Sequence, residues 1–245
     1  MNYMYNGMDF TYLIYILPAF ILSLIAQFLV KTRFAKYDKI ECKKGVSGAQ
    51  AAAVLLRSNE INDVKIAHIS GNLTDNYNPS KKVLSLSDST FASRSIAAVG
   101  VAAHETGHAI QHHKGYAPLA IRKMLVPVAN FGSRFGPLLA VAGIILGFNN
   151  GESNLTLFQR LTDIGLILFG GAVLFYIITL PVEFNASRRA LKILKETGVF
   201  TDKAEIRGAR KVLTAAALTY VASALTAIGS FLRLLMIAKG RGRRR

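Results

Sequence analysis

The chain has 245 residues, of which 51% are hydrophobic, and its formal net charge is +16 at pH 7. An apolar composition with a large excess of lysine and arginine is typical of a membrane protein whose positive charges are placed asymmetrically. Nucleic-acid binding is the competing explanation for such a charge. The basic residues flank apolar runs instead of forming one patch, so we expect no nucleic-acid partner. The single cysteine, Cys42, excludes an internal disulfide.

The first apolar run covers residues 10–30 and contains no charged side chain. It is long enough to cross the bilayer as a helix. The segment that follows, residues 31–44, contains six lysines and arginines. Because positive charge favours the cytoplasmic side, the sequence predicts an N-terminal transmembrane anchor over residues 1–30, with residue 31 onward in the cytoplasm.

Two later apolar segments, at roughly residues 124–148 and 161–180, are joined by a connector with a single basic residue, whereas lysines and arginines flank both outer ends. They predict a transmembrane hairpin over residues 124–180 with both ends in the cytoplasm. Gly132 and Gly136 are spaced four apart in the first segment. This spacing favours a close approach of that helix to a neighbour.

The final apolar stretch, residues 212–238, precedes a polybasic tail. A full crossing would place that tail outside the cell, against the positive-inside rule. Gly229 and Ser230 predict a break, which would allow the Ala/Thr-rich helix before it to pack on the cytoplasmic domain and lead to a short interfacial piece, while the polybasic tail contacts anionic lipid of the bilayer. The sequence does not decide between three membrane spans and four.

The region between the anchor and the hairpin, residues 31–123, lacks a long uncharged apolar run and is expected to be exposed to water. A helix is predicted to begin near Ser47 and a second one near Ser93 or Ser95. Short strands are predicted between them, at residues 63–70, 72–77 and 81–88. The apolar part of the second helix, residues 96–103, is too short to span a bilayer.

Residues 104–108 read His-Glu-Thr-Gly-His and lie on the second predicted helix. Side chains four residues apart on a helix differ in direction by about 40°, so His104 and His108 can bind one metal ion. Zinc acidifies a water molecule, and Glu105 on the adjacent face can accept its proton and pass it to a leaving amine. The motif therefore predicts zinc, one ion per chain, with Glu105 as the catalytic base.

A catalytic zinc site of this kind needs a further ligand, usually a carboxylate. Glu183 is the best candidate, because the predicted hairpin returns to the cytoplasmic side just before it. Glu196 and Glu205 lie in a basic, helix-like stretch, which predicts solvated side chains. His112 lies roughly 80° around the helix from His104, which disfavours it as a ligand of the same ion.

Three runs of the sequence carry a resemblance to a known family: SIAAVGVAAHETGHAIQ at residues 95–111, PVEFNASRRA at residues 181–190 and VLTAAALTYVASAL at residues 212–225. They are similar to the bacterial membrane neutral zinc metallopeptidases, the YugP-like proteins. The resemblance covers nearly the whole chain. It is more specific than the His-Glu-x-x-His pattern alone.

The chain is more distantly similar to the HtpX-type and CaaX prenyl proteases, which pair this pattern with a downstream E-x-x-x-D. The glutamate of that motif binds zinc and corresponds to Glu183. The aspartate position is Ser187 here, so the resemblance leaves open whether Asn185 or Ser187 supports a zinc-binding histidine or only packs. It also implies a zincin-like domain with extended substrate along residues 72–77 or 81–88, unless these strands form an ordinary sheet.

We therefore expect a mainly helical α+β protein. A zincin-like cytoplasmic catalytic region over residues 31–123 and a helical region over residues 181–211 are inserted among the transmembrane segments. The predicted function is that of a multi-pass cell-membrane zinc endopeptidase with a polypeptide substrate and a cytoplasmic active site. The alternatives are a site-two-like intramembrane protease and a membrane protein that binds zinc without catalysis. The sequence names neither the oligomeric state nor the oxyanion residue, for which His112, Tyr116 and Arg188 are all candidates.

Overall fold

The computed structural model describes residues 4–5, 8–149 and 155–242, and most of them are helical. The helices are α1 Phe10–Tyr15, α2 Leu17–Asp38, α3 Gly48–Arg57, α4 Ile96–His113, α5 Ala117–Asn149, α6 Leu155–Glu196 and α7 Lys203–Gly242. The strands are β1 Met4–Tyr5, β2 Met8–Asp9, β3 Lys65–Ile69, β4 Asn76–Asn78 and β5 Val83–Ser87. The expectation of a mainly helical α+β protein is confirmed.

Four helical segments in the described part of the chain are long and apolar enough to cross a membrane, judged by length and composition. They are Phe10–Asp38, Ala117–Gly147, Thr156–Glu196 and Lys203–Lys239. The predicted apolar runs lie almost entirely inside these segments. The last segment covers the stretch for which the sequence left three or four spans open, and its length and composition allow a fourth span.

The chain folds into two compact units, each assembled from separate parts of the sequence. One, here called the apolar unit, consists of Met1–Leu24, Ile121–Thr179 and Tyr220–Arg245. The other, here called the motif unit, consists of Ile25–Ala120 and Leu180–Thr219. The motif unit therefore takes its two histidines and Glu183 from different segments.

In the apolar unit, α5 and α6 approach closely at glycines. A Cβ atom at Gly136 would lie 2.7 Å from the backbone nitrogen of Phe169. One at Gly132 would overlap the backbone oxygen of Leu168. Side chains at these positions would force the helices apart, so the predicted role of the two glycines in close packing is confirmed.

Helix α7 does not break at Gly229 and Ser230, and the predicted break is wrong. The helix is continuous over Lys203–Gly242. A Cβ atom at Gly229 would overlap the backbone carbonyl group of Tyr15. Glycine at this position permits close packing of two helices within the apolar unit, which requires no interruption of the helical backbone.

The motif unit contains a three-stranded sheet with the order β3-β5-β4. Strand β5 pairs with β3 in parallel and with β4 antiparallel, so it is the central strand and residues 81–88 do not form an edge. The strand predicted at residues 72–77 begins only at Asn76. The preceding Asp75 carboxylate instead accepts hydrogen bonds from the backbone nitrogen and hydroxyl group of Ser87. Strand β4 is consequently a short edge strand.

Two serines begin helices α3 and α4, as the sequence predicted. Ser47 and Gln50 form a reciprocal capping box, in which each side chain accepts a hydrogen bond from the other residue's backbone nitrogen. The Ser95 hydroxyl group accepts a hydrogen bond from the backbone nitrogen of Ala98 at 3.0 Å. Most side chains of α4 are buried, so this helix forms the centre of the motif unit.

Glu205 is buried, with 2% of its surface exposed, and the predicted solvated side chain is wrong. Its carboxylate accepts hydrogen bonds from the backbone nitrogens of Lys43 at 2.8 Å and of Thr201 and Asp202 at 2.9 Å. It therefore caps the N-terminus of α7, where negative charge is favourable, and ties it to the loop after α2. Glu196 is exposed, as predicted.

We expect Glu205→Gln to lower the free energy of unfolding by about 1–3 kcal/mol, because its amide group would face a backbone N–H that now donates to a carboxylate oxygen. Denaturant unfolding of the full chain in detergent measures this change. The matched control is Glu196→Gln, which replaces an exposed glutamate and should change stability by less than about 0.5 kcal/mol. Equal stability of the two variants would contradict the capping role.

Candidate metal centre

Helix α4 presents His104 and His108 on one face. Their ring centroids lie 4.8 Å apart and the ring planes are nearly perpendicular, at 86°. The side chains are largely buried, with exposed fractions of 13% and 10%. The four-residue spacing places the two imidazoles beside each other, as the sequence predicted.

Helix α6 supplies a carboxylate to the same place. Oε2 of Glu183 lies 3.2 Å from Nε2 of His104 and 3.5 Å from Nε2 of His108. One ligand atom from each of the three residues lies within 4.8 Å of the others, and they form the one such group found in the described part of the chain. The structure therefore brings together the three residues predicted as ligands, and their binding of a metal stays a prediction.

The close contact of α4 and α6 at this site depends on Gly107. A Cβ atom at Gly107 would lie 2.6 Å from the backbone oxygen of Ala186. Ala186 is fully buried and its oxygen belongs to the backbone of α6, so a small side-chain movement cannot relieve the overlap. Glycine thus permits the helix separation at which the predicted ligands converge.

The second ring nitrogen of each histidine has its own partner. Nδ1 of His104 lies 3.1 Å from the hydroxyl oxygen of Ser187, and Nδ1 of His108 lies 3.0 Å from Oε1 of Gln111. These contacts orient the rings and leave both Nε2 atoms directed into the site. Of the two residues left open by the sequence, Ser187 contacts a predicted ligand directly, whereas Asn185 contacts Gln111.

The geometry fits a zinc ion. Zinc binds imidazole nitrogen and carboxylate oxygen at about 2.0–2.2 Å, so neighbouring ligand atoms of a tetrahedral site lie about 3.4 Å apart. The two separations measured from Oε2 of Glu183 are 3.2 Å and 3.5 Å. Two imidazoles and one carboxylate are also the donor set of catalytic zinc sites that keep one position open. The residues present can therefore hold zinc.

Glu105 lies beside this group without belonging to it. It is buried, with 9% of its surface exposed. Burial raises the pKa of its carboxyl group above the ordinary value, although the imidazoles of His104 and His108 oppose the change. Glu105 is therefore a buried acidic residue next to the predicted ligands but outside the converging set, and its role as the catalytic base stays a prediction.

Strand β4 contacts helix α4 through Tyr77. The Tyr77 hydroxyl group lies 2.9 Å from Nδ1 of His112, so this histidine contacts the sheet. Burial raises the pKa of Tyr77 to about 12, which keeps its hydroxyl group protonated at neutral pH. Asp75, immediately before β4, adds negative charge near Glu105. The edge strand is thereby held against helix α4.

Sequence reasoning missed Gln111 and Asp75 as neighbours of the site. Gln111 follows His108 by three residues, and this spacing puts both on one helix face. Asp75 lacked such a local signal, because its contacts come from a different strand.

Two of the oxyanion candidates have other contacts. Tyr116 lies under the Arg189 guanidinium group, 5.9 Å from it, and Arg188 lines a groove of about 580 Å³ beside α7. These contacts do not single out an oxyanion residue.

The sequence also matches a known family over most of its length. Residues 12–239 match the family model described as "Putative neutral zinc metallopeptidase". This chain belongs to that metallopeptidase family. The match includes α4 and α6, the two helices that carry the converging histidines and carboxylate.

One curated relative of this chain is the "Putative membrane protease YugP" of Bacillus subtilis (strain 168). The two are 45% identical over 216 residues, which cover 88% of this chain and 91% of the relative. The resemblance to the YugP-like proteins is thereby confirmed. No solved structure matches the chain. The family, the relative and the apolar helices together support a membrane zinc protease.

Proposed function

We propose that this protein is a membrane-bound zinc endopeptidase with His104, His108 and Glu183 as its metal ligands. The observation that carries the proposal is the convergence of their ligand atoms, all within 4.8 Å of one another, between α4 and α6. Three protein ligands leave the fourth zinc position open, as catalysis requires. We expect one zinc ion per chain.

Zinc held here supplies Lewis acidity, which acidifies water and polarises a peptide carbonyl group. The chain contributes proton transfer at Glu105. Its carboxylate accepts the proton of the attacking water and delivers it to the nitrogen of the leaving amine. Ser187 and Gln111 hold the imidazole planes, so that the ligands need little rearrangement during the reaction.

We propose an extended polypeptide as the substrate and the edge of β4 as its binding strand. Strand β4 pairs with β5 and lies at the edge of the sheet. An edge strand offers backbone donors and acceptors to an extended chain of any sequence. The contact of Tyr77 with His112 links this strand to helix α4, which supports a zincin-like arrangement.

We propose that the protein is a multi-pass cell-membrane protein with its active site on the cytoplasmic side. The six lysines and arginines at residues 31–44 support this orientation. The proposed regions are an anchor at 1–30, a zincin-like catalytic region at 31–123, a transmembrane hairpin at 124–180, a cytoplasmic helical region with the third zinc ligand at 181–211 and an apolar helix with a basic tail at 212–245.

Glu105→Gln tests the mechanism. We expect the variant to retain zinc, because Glu105 is not a ligand, and to lose peptidase activity by about 10²- to 10⁴-fold, the usual contribution of a general base. Cleavage of a labelled unfolded protein by the detergent-purified full chain measures activity, and elemental analysis measures zinc. The control is Glu196→Gln, an exposed glutamate on α6. Full activity of Glu105→Gln would refute the mechanism.

Two outcomes would favour the other functions considered. Stoichiometric zinc in the wild-type protein without cleavage that depends on Glu105 would favour a non-catalytic zinc-binding membrane protein. A site-two-like intramembrane protease requires the motif inside a spanning helix. A protease-protection assay that places residues 31–115 within the bilayer would favour that function.

A further inference from the structure

We propose that Gln111 is a positioning residue that selects the metal-binding tautomer of His108, and that Asn185 and the Val182 carbonyl group impose the orientation of its amide. The inference rests on the proposed zinc site. It follows from a series of connected hydrogen bonds. In each bond, the chemistry of one group determines whether its neighbour donates or accepts.

The series of hydrogen bonds begins at Arg189, whose guanidinium group has donors and no acceptor. Its Nε donates to the side-chain amide of Asn185 at 2.7 Å, so the accepting atom is the oxygen Oδ1. The guanidinium group also lies over the Tyr116 ring, 5.9 Å from its centroid, which restrains it. The Asn185 amide is thereby oriented by a group that can only donate.

Oδ1 of Asn185 and the backbone oxygen of Val182 both contact one atom of the Gln111 amide, at 3.0 Å and 2.8 Å. Both are acceptors, so that atom is the NH₂ nitrogen, and both of its hydrogens are used. Gln111 and Val182 are fully buried, which leaves the amide little freedom to rotate. The other amide atom, Oε1, therefore faces His108.

Oε1 of Gln111 lies 3.0 Å from Nδ1 of His108. An amide oxygen accepts and does not donate, so Nδ1 carries the proton of the neutral imidazole. The lone pair then lies on Nε2, the atom that faces Glu183 at 3.5 Å. Without this acceptor, the neutral ring would distribute its proton between both nitrogens.

His104 is held differently. Its Nδ1 contacts the Ser187 hydroxyl group, which can donate as well as accept and so does not by itself choose a tautomer. The two histidines are therefore unequal, and the fixed amide acts on His108. This difference assigns the tautomer selection to Gln111 specifically.

The test compares Gln111→Met, Asn185→Leu and Asn185→Asp in the full chain purified in detergent. A zinc-chelator competition gives the zinc affinity, and the unfolding temperature of the zinc-free protein reports its stability. We expect Gln111→Met to weaken zinc binding by about 10- to 100-fold. Asn185→Leu should weaken it less, because the Val182 oxygen remains. Asn185→Asp keeps an acceptor for both neighbours and should stay within about threefold of the wild type.

Glu205→Gln is the control for general destabilisation. It should lower the unfolding temperature and leave zinc affinity unchanged. Wild-type affinity in Gln111→Met, or equal losses in Asn185→Leu and Asn185→Asp, would overturn the proposal. If Gln111→Met does not fold, the two Asn185 variants decide. Absence of zinc binding by the wild type would instead refute the zinc site, and this inference with it.

Discussion

Replacing Glu183 with alanine is expected to lower zinc affinity by about 10²- to 10³-fold and to abolish peptidase activity. Four-ligand protein sites bind zinc with apparent free energies of about 10–16 kcal/mol, so one ligand contributes roughly 2.5–4 kcal/mol. Oε2 of Glu183 lies close to Nε2 of both His104 and His108. Among the described residues, no other carboxylate forms a group with these two histidines. Elemental analysis and chelator competition on the detergent-purified chain measure the change.

Glu196→Ala provides the control, because Glu196 lies on the same helix and its side chain is 58% exposed. His108→Ala should lose zinc in the same way as Glu183→Ala. Stoichiometric zinc in Glu183→Ala, with wild-type affinity, would refute the His-His-Glu assignment. Attention would then turn to His112 and the remaining carboxylates as the third ligand.

Gly107→Ala is expected to lower zinc affinity by roughly 10- to 100-fold and peptidase activity by roughly a hundredfold, although it adds a single methyl group. The new Cβ atom would lie 2.6 Å from the backbone oxygen of Ala186. To reach an ordinary contact distance, α4 and α6 must separate there by about 0.8 Å. That movement carries the His108 imidazole away from the Glu183 carboxylate.

Gly100→Ala is the matched control on the same helix. Both substitutions gain helix propensity, worth about 1 kcal/mol in an exposed helix. At Gly100, the new Cβ atom meets the Ala209 side chain at 3.2 Å, so a shift of a few tenths of an ångström suffices. Chelator competition and the unfolding temperature should separate the two variants. Equal zinc affinities would show that the helix contact at Gly107 does not set the site geometry.

The parts of the fold that depend on nearby residues could be predicted from the sequence. Ser47 and Ser95 begin helices because their side chains bond backbone groups three residues later. The apolar runs identify the long helices by composition alone. His104 and His108 are neighbours by helical spacing, and Glu183 was found because a predicted hairpin ended just before it.

The predictions that were wrong concern residues whose contacts lie far away along the chain. Glu205 reads as a surface residue, but one of its partners is the backbone nitrogen of Lys43, 162 residues away. Residues 81–88 have the pattern of a strand, and no local feature tells a central strand from an edge strand. Gly229 predicts a helix break because glycine is a poor helix former. That prediction failed because the sequence does not show that Gly229 packs against the backbone of Tyr15.

The motif unit is built from two segments, and this has a consequence for the newly made protein. During synthesis, Glu183 is added to the growing chain 79 residues after His104. At about 5–20 residues per second, the interval lasts roughly 4–16 seconds. In that time, and in any chain that ends before residue 183, the proposed ligand set lacks its carboxylate. The proposed zinc site can therefore form only after Glu183 has been synthesised, so a translation product that ends before this residue cannot act by the proposed mechanism.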